Sequence, residues 1–107
     1  MSAKPRVLIV DDEPDVVANW SRLLGRDDYA CVTATDGERA LALLEIERPE
    51  IVLTDLKMPR VDGMQVLTRA LQLDPDVVVI MITGHGSVES AVEAMRVQIG
   101  LAQNVVE

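Results

Sequence analysis

Apolar residues gather in short runs along this chain, and the runs alternate with helical stripes. Val7 to Val10 (VLIV), Ile51 to Thr54 (IVLT) and Val77 to Ile82 (VVVIMI) are continuous apolar stretches, and Ala30 to Thr33 is a weaker one. Runs of this kind read as strands buried on both faces, as in a parallel sheet covered by helices. After the first run, Pro14 suits an opening helical turn, and Val16, Val17, Trp20, Leu23 and Leu24 share one face before Gly25, a plausible stop. Asp36 can cap a second helix with Ala40, Leu41, Leu43 and Leu44 as its stripe, ending before Pro49. Asp62 with Gln65 makes a capping box for a third helix carrying Val66, Leu67, Ala70 and Leu71. Ser87 can cap a fourth, with Val88, Ala91, Val92 and Met95 inward. Repeated strand-then-helix units with short loops predict an α/β, doubly wound parallel sheet of four to five strands flanked by helices. The fifth strand is an open choice: Asn104 to Glu107 reads as a short strand, or the last helix runs on through Ile99 and Leu101.

Carboxylates stand where the strands should end. Asp11 and Asp12 follow VLIV, and Asp55 follows IVLT. In open parallel sheets the ligand crevice lies at the carboxyl ends of the strands. If those two strands are neighbours, three negative charges share one pocket, at a cost of several kcal/mol unless a cation joins them. The oxygen donors point to a hard divalent ion, most naturally Mg²⁺.

Length and composition narrow the function classes. The 107 residues make one domain, with 49% hydrophobic and 26% charged residues as in soluble globular proteins. No apolar stretch approaches the roughly 20 residues needed to span a bilayer, and the run after MSAKPR is too short for a signal peptide. A cytoplasmic protein without membrane contact is expected. The net charge of −8 argues against direct nucleic-acid binding, because a phosphate backbone would be repelled. Cys31 is the single cysteine, which excludes an internal disulfide, and its setting in ACVTA reads as a small buried core residue. His85 is the single histidine, which excludes a histidine-rich metal site. The only lysines are Lys4 and Lys57.

Three segments, VLIVDDEPD, IVLTDLKMPRVDGMQVL and VVVIMITGHGSVESAVEAM, resemble in combination the receiver domain of bacterial response regulators, the CheY-like family with its flavodoxin-like fold. The resemblance covers residues 6 to about 97, within one domain at 1–107 whose final segment, 98–107, is atypical. It implies a two-component phosphoacceptor that takes a phosphoryl group from a sensor histidine kinase with Mg²⁺ as cofactor, and not a turnover enzyme. By motif position Asp55 is the phosphoacceptor, Asp11 and Asp12 hold the metal with Asp55, and the backbone carbonyl of Lys57 is a further ligand. Thr83 supplies the hydroxyl that bonds the phosphoryl group and switches. The TGHGSVESAVEAM stretch is most similar to receivers of NtrC-type transcription activators, which implies a transcription output domain or partner regulator.

Elementary chemistry fits those roles. A carboxylate attacks another anion poorly unless charge in the site is neutralised, which a divalent cation does. A Thr hydroxyl can rotate to make or break a bond to a phosphoryl oxygen. Pro59 and Gly63 suit a loop that turns back sharply, and Gly84 and Gly86 let backbone amides approach an anion. Each residue also has a plainer reading when taken alone. Asp11–Asp12 is a helix cap and dipole partner, Asp55 and His85 are solvated loop residues, Thr83 closes a strand, and Lys57 is solvent-exposed.

The tail departs from the family. Receivers carry a fifth-strand Lys followed by Pro, with an aromatic residue earlier on that strand. If Gly100 matches the family's Gly after the fourth helix, Glu107 stands at the Lys position and Ala102 at the aromatic one; aligned without a gap, the Lys position is Val105. No register supplies a lysine. The missing ammonium removes a charged hydrogen bond of about 1.5–3 kcal/mol, so the acceptor chemistry reads as intact and its relay as altered. The chain is then either a fragment or tail variant of a longer regulator, or a stand-alone degenerate receiver that acts, independently of phosphorylation, as a protein-interaction module. Truncation that exposes one flank of the sheet, or leaves the fourth strand as an edge, also predicts a homodimer through that flank. A third reading, an aspartyl phosphatase, wants a general acid two residues after the nucleophile, where this chain has Lys57.

Overall fold

Period-two alternation decides the architecture. In β1 (Arg6–Val10) the side chains of Val7 and Ile9 enter one apolar cluster and those of Leu8 and Val10 enter another. The sheet is therefore buried on both faces, as a continuous apolar run requires. The computed structural model describes residues 4–82 and the strand at 103–106. After β1 come α1 (Pro14–Arg26), β2 (Ala30–Ala34), α2 (Gly37–Glu47), β3 (Ile51–Asp55), α3 (Gly63–Leu73), β4 (Val78–Ile82) and β5 (Gln103–Val106). The five strands form one sheet in the order β2-β1-β3-β4-β5, and every neighbouring pair is parallel.

One face packs against α1, whose Val17, Trp20 and Leu24 meet Val7, Ile9, Ile51, Leu53, Val78 and Ile80. The other packs against α2 and α3, where Ala40, Leu43, Leu44, Val66, Leu67 and Ala70 meet Leu8, Val10, Val52, Val79 and Met81. Fully burying one such aliphatic side chain stabilises by about 1.5–3 kcal/mol.

Local chemistry starts the helices as anticipated. Pro14 opens α1, where a missing amide proton costs nothing. Asp36 caps α2, its carboxylate accepting from the Arg39 amide at 2.7 Å. At α3 the capping box is complete: the Asp62 carboxylate accepts from the Gln65 amide at 3.0 Å, and the Asp62 amide donates to the Gln65 side chain at 2.9 Å.

Three expectations change, and the open choice at the fifth strand is settled. Gly25 does not stop α1. It is exposed inside the helix, and the chain turns afterwards, where the amides of Asp27 and Tyr29 both donate to the Leu24 carbonyl and Asp28 takes φ 65°. Cys31 is half-buried, because β2 is an edge strand; its sulfur lies 3.8 Å from the Ser21 carbonyl and burial pushes the thiol pKa up. The segment 103–106 is a strand. Consequently β4 is not an edge, since Val79 to Ile82 pair with Gln103 to Val106. The fourth helix expected from Ser87 lies outside the described residues. Among those described, no helix is long and apolar enough to cross a membrane.

Candidate metal centre at the strand ends

β1 has β2 on one side and β3 on the other, so the connections from the carboxyl ends of β1 and β3 run in opposite directions, to β2 and to β4, and make a topological switch point between them. The register pairs Val10 with Thr54. Asp11 and Asp12, the next residues after Val10, thus stand beside Asp55, the last residue of β3. One carboxylate oxygen from each of Asp11, Asp12 and Asp55 lies within 4.8 Å of the others. Asp11 and Asp55 are half-buried and Asp12 is exposed.

The crowding is visible in their proton affinities. Burial pushes Asp11 from the ordinary 3.8 up to about 6, and the charges of Asp55 and Asp12 push the same way. The Glu13 amide, donating to Asp11 Oδ1 at 2.9 Å, holds part of that shift back. Asp55 is raised as well, first by burial and also by the charge of Asp12, while the nearby Lys57 and Leu56 amides favour its charged form.

The loop after Asp55 is built to fold back at once. The Leu56 amide continues the sheet by donating to the Ile82 carbonyl at 3.2 Å. Lys57 points its exposed side chain to solvent, whereas Met58 is buried in the α2–α3 cluster and anchors the loop. Arg60 takes φ 66°, the Val61 amide donates to Pro59, and the Gly63 amide returns to the Leu56 carbonyl at 2.9 Å. Thr54, fully buried, donates its hydroxyl to the Asp55 carbonyl at 3.0 Å. Sequence reasoning passed over Thr54, although a lone hydroxyl inside IVLTD was a usable signal. It also passed over Gly37, against which Val61 packs.

The donor set fits a hard divalent cation: three carboxylates, no sulfur or imidazole, and mutual repulsion that a 2+ charge would relieve. The structure thus brings Asp11, Asp12 and Asp55 together and places Lys57 in the loop beside them. Thr83, and with it Gly84, His85 and Gly86, lies outside the described residues.

Comparison with known proteins agrees with this layout. The family model described as the response regulator receiver domain matches residues 7–103. The nitrogen assimilation regulatory protein NtrX of Azorhizobium caulinodans is 39% identical over 92 residues, which cover 84% of this chain and 20% of that protein. The transcriptional regulatory protein GlrR of Escherichia coli is 38% identical over 97 residues, covering 90% of this chain and 22% of that protein. The chain therefore spans about a fifth of the length of these curated relatives. A crystal structure of a response regulator receiver domain protein from Clostridium thermocellum superposes with a TM-score of 0.74 at 30% identity, covering 94% of this chain and 80% of that one. With 97 of its 107 residues matched, the chain belongs to the response regulator receiver domain family.

Proposed function

We propose that this chain is a Mg²⁺-dependent phosphoacceptor, with Asp55 as the residue modified by a sensor histidine kinase in the cytoplasm. The observation that carries the reading is the set of three carboxylates within 4.8 Å at the switch point of a receiver-family sheet. Asp11, Asp12, Asp55 and the backbone carbonyl of Lys57 would hold Mg²⁺. When bound, the ion supplies charge neutralisation and orientation of the phosphoryl oxygens.

The remaining work falls to the chain's own groups. A carboxylate oxygen of Asp55 forms the new bond to phosphorus as the donor's bond to phosphorus breaks, and the leaving group takes the electron pair. Asp55 is held for this by its place at the end of β3, in register with Ile82 of β4. Fixed geometry of this kind lowers the barrier without any covalent help from other side chains. Thr83 follows Ile82, whose strand partner is Asp55, and is proposed as the hydroxyl that bonds the phosphoryl group afterwards. The relatives NtrX and GlrR are a nitrogen assimilation regulatory protein and a transcriptional regulatory protein; by analogy the output controlled here is transcription, through an output domain or partner regulator.

Intact mass after incubation with acetyl phosphate tests the reading. One added phosphoryl group that needs both Mg²⁺ and Asp55, and is absent from Asp55→Asn, is expected. No addition under any condition would leave a receiver fold without receiver chemistry, and the interaction-module reading would take its place.

A further inference from the structure

The acceptor loop is seated on the first turn of α2, and the seat exists only because residue 37 has no side chain. A Cβ on Gly37 would stand 2.3 Å from the Val61 carbonyl oxygen, 2.6 Å from Val61 Cβ and 2.7 Å from Val61 Cγ1. The nearest of these atoms is backbone, so a substituted side chain could not be accommodated by rotating a flexible tip. The neighbouring pair, Arg60 Nε to Glu38 Oε1 at 2.9 Å, ties the same two segments across the surface. It is solvent-exposed and contributes little by itself. The tight contact is the Gly37–Val61 one.

That contact bears on the site through a short piece of chain. Val61 lies in the segment that leaves Asp55 through Lys57 and returns at Gly63, which is pinned at the far end by its bond to Leu56. With both ends fixed, displacing Val61 displaces the intervening backbone. We propose that Gly37 is a positioning residue for the candidate metal centre: by admitting Val61 against α2, it sets where the Lys57 backbone lies relative to Asp11, Asp12 and Asp55. This rests on the reading of Lys57 as a carbonyl ligand given above.

Ion selectivity separates positioning from mere support of the fold. Mg²⁺ demands near-ideal octahedral geometry, whereas Ca²⁺ accepts variable coordination. Titration calorimetry with Mg²⁺ and with Ca²⁺, below the melting range of each variant, is the test. Gly37→Ala should weaken Mg²⁺ by about fivefold or more and Ca²⁺ by less than about twofold. Val61→Gly, which loosens the seat without any clash, should shift the ratio the same way. Gly25→Ala, exposed on α1 with nothing within 4 Å, should leave both affinities unchanged. Equal loss of both ions, or wild-type affinities in Gly37→Ala, overturns the proposal. If Gly37→Ala does not fold, a wild-type ion ratio in Val61→Gly overturns it. A wild-type protein that binds no Mg²⁺ would instead sink the functional reading itself, and this inference with it.

Discussion

A Cβ on Gly63 would stand 2.3 Å from the carbonyl oxygen of Asp55, so α3 begins against the backbone of the proposed acceptor. Alanine is the better helix former by about 0.5–1 kcal/mol, yet at this position the clash with a main-chain atom wins. Gly63→Ala is expected to lower stability by about 1–3 kcal/mol, the usual range for overpacking. At exposed Gly25 the same change meets open space and should raise stability by about 0.5–1 kcal/mol. Urea midpoints decide it: a Gly63→Ala midpoint at or above wild type would show that α3 can shift freely away from Asp55.

The cap of α3 gives a smaller and more local expectation. Asp62→Ala deletes the carboxylate that accepts from the Gln65 amide at 3.0 Å. Loss of such a cap costs about 1 kcal/mol. Hydrogen exchange should quicken at Gln65 in particular, with a modest fall in urea midpoint. Unchanged exchange at that amide would mean the cap is redundant.

What could be read from the residues alone follows how local each cause is. Pro14, Asp36 and the Asp62–Gln65 pair act within one turn, and the structure bears out all three. The two-sided burial of VLIV was equally legible, because alternate side chains must face opposite layers. The juxtaposition of Asp11, Asp12 and Asp55 followed once β1 and β3 were taken as neighbours. Gly25 misled because the end of α1 depends on two amides converging on the Leu24 carbonyl beyond it. QNVV has too weak a pattern to declare itself, and its strand state comes from its ladder with β4. The contact between Gly37 and Val61 joins segments far apart in sequence, so no local pattern could reveal it.

Acidity should stabilise the metal-free protein within a defined window. The unfolded chain releases the Asp11 proton near 3.8 and the folded chain near 6. Between those values the folded state holds the extra proton, so stability is gained as pH falls from 7 toward 5 and lost as pH rises through about 6. The upward shift of Asp55 acts in the same direction. In EDTA, the melting temperature of wild type should therefore rise on acidification by more than that of Asp11→Asn. Saturating Mg²⁺ should remove the difference by displacing the proton. Parallel pH profiles for the two proteins in EDTA would contradict the assignment.

Substitution at the same position should separate stability from metal binding. Asp11→Asn keeps an oxygen to accept from the Glu13 amide and removes a half-buried charge that Asp55 and Asp12 repel. At pH 7.5 in EDTA it should melt above wild type. Asp12 is exposed, and solvent screens its repulsion, so Asp12→Asn should show a smaller gain. Both variants should bind Mg²⁺ on the order of tenfold or more weakly, since one of three charges facing the ion is gone. An Asp11→Asn protein that melts below wild type without metal would mean that the carboxylate supports the fold. The crowded strand ends would then be a structural feature in their own right, with no repulsion left for a cation to relieve.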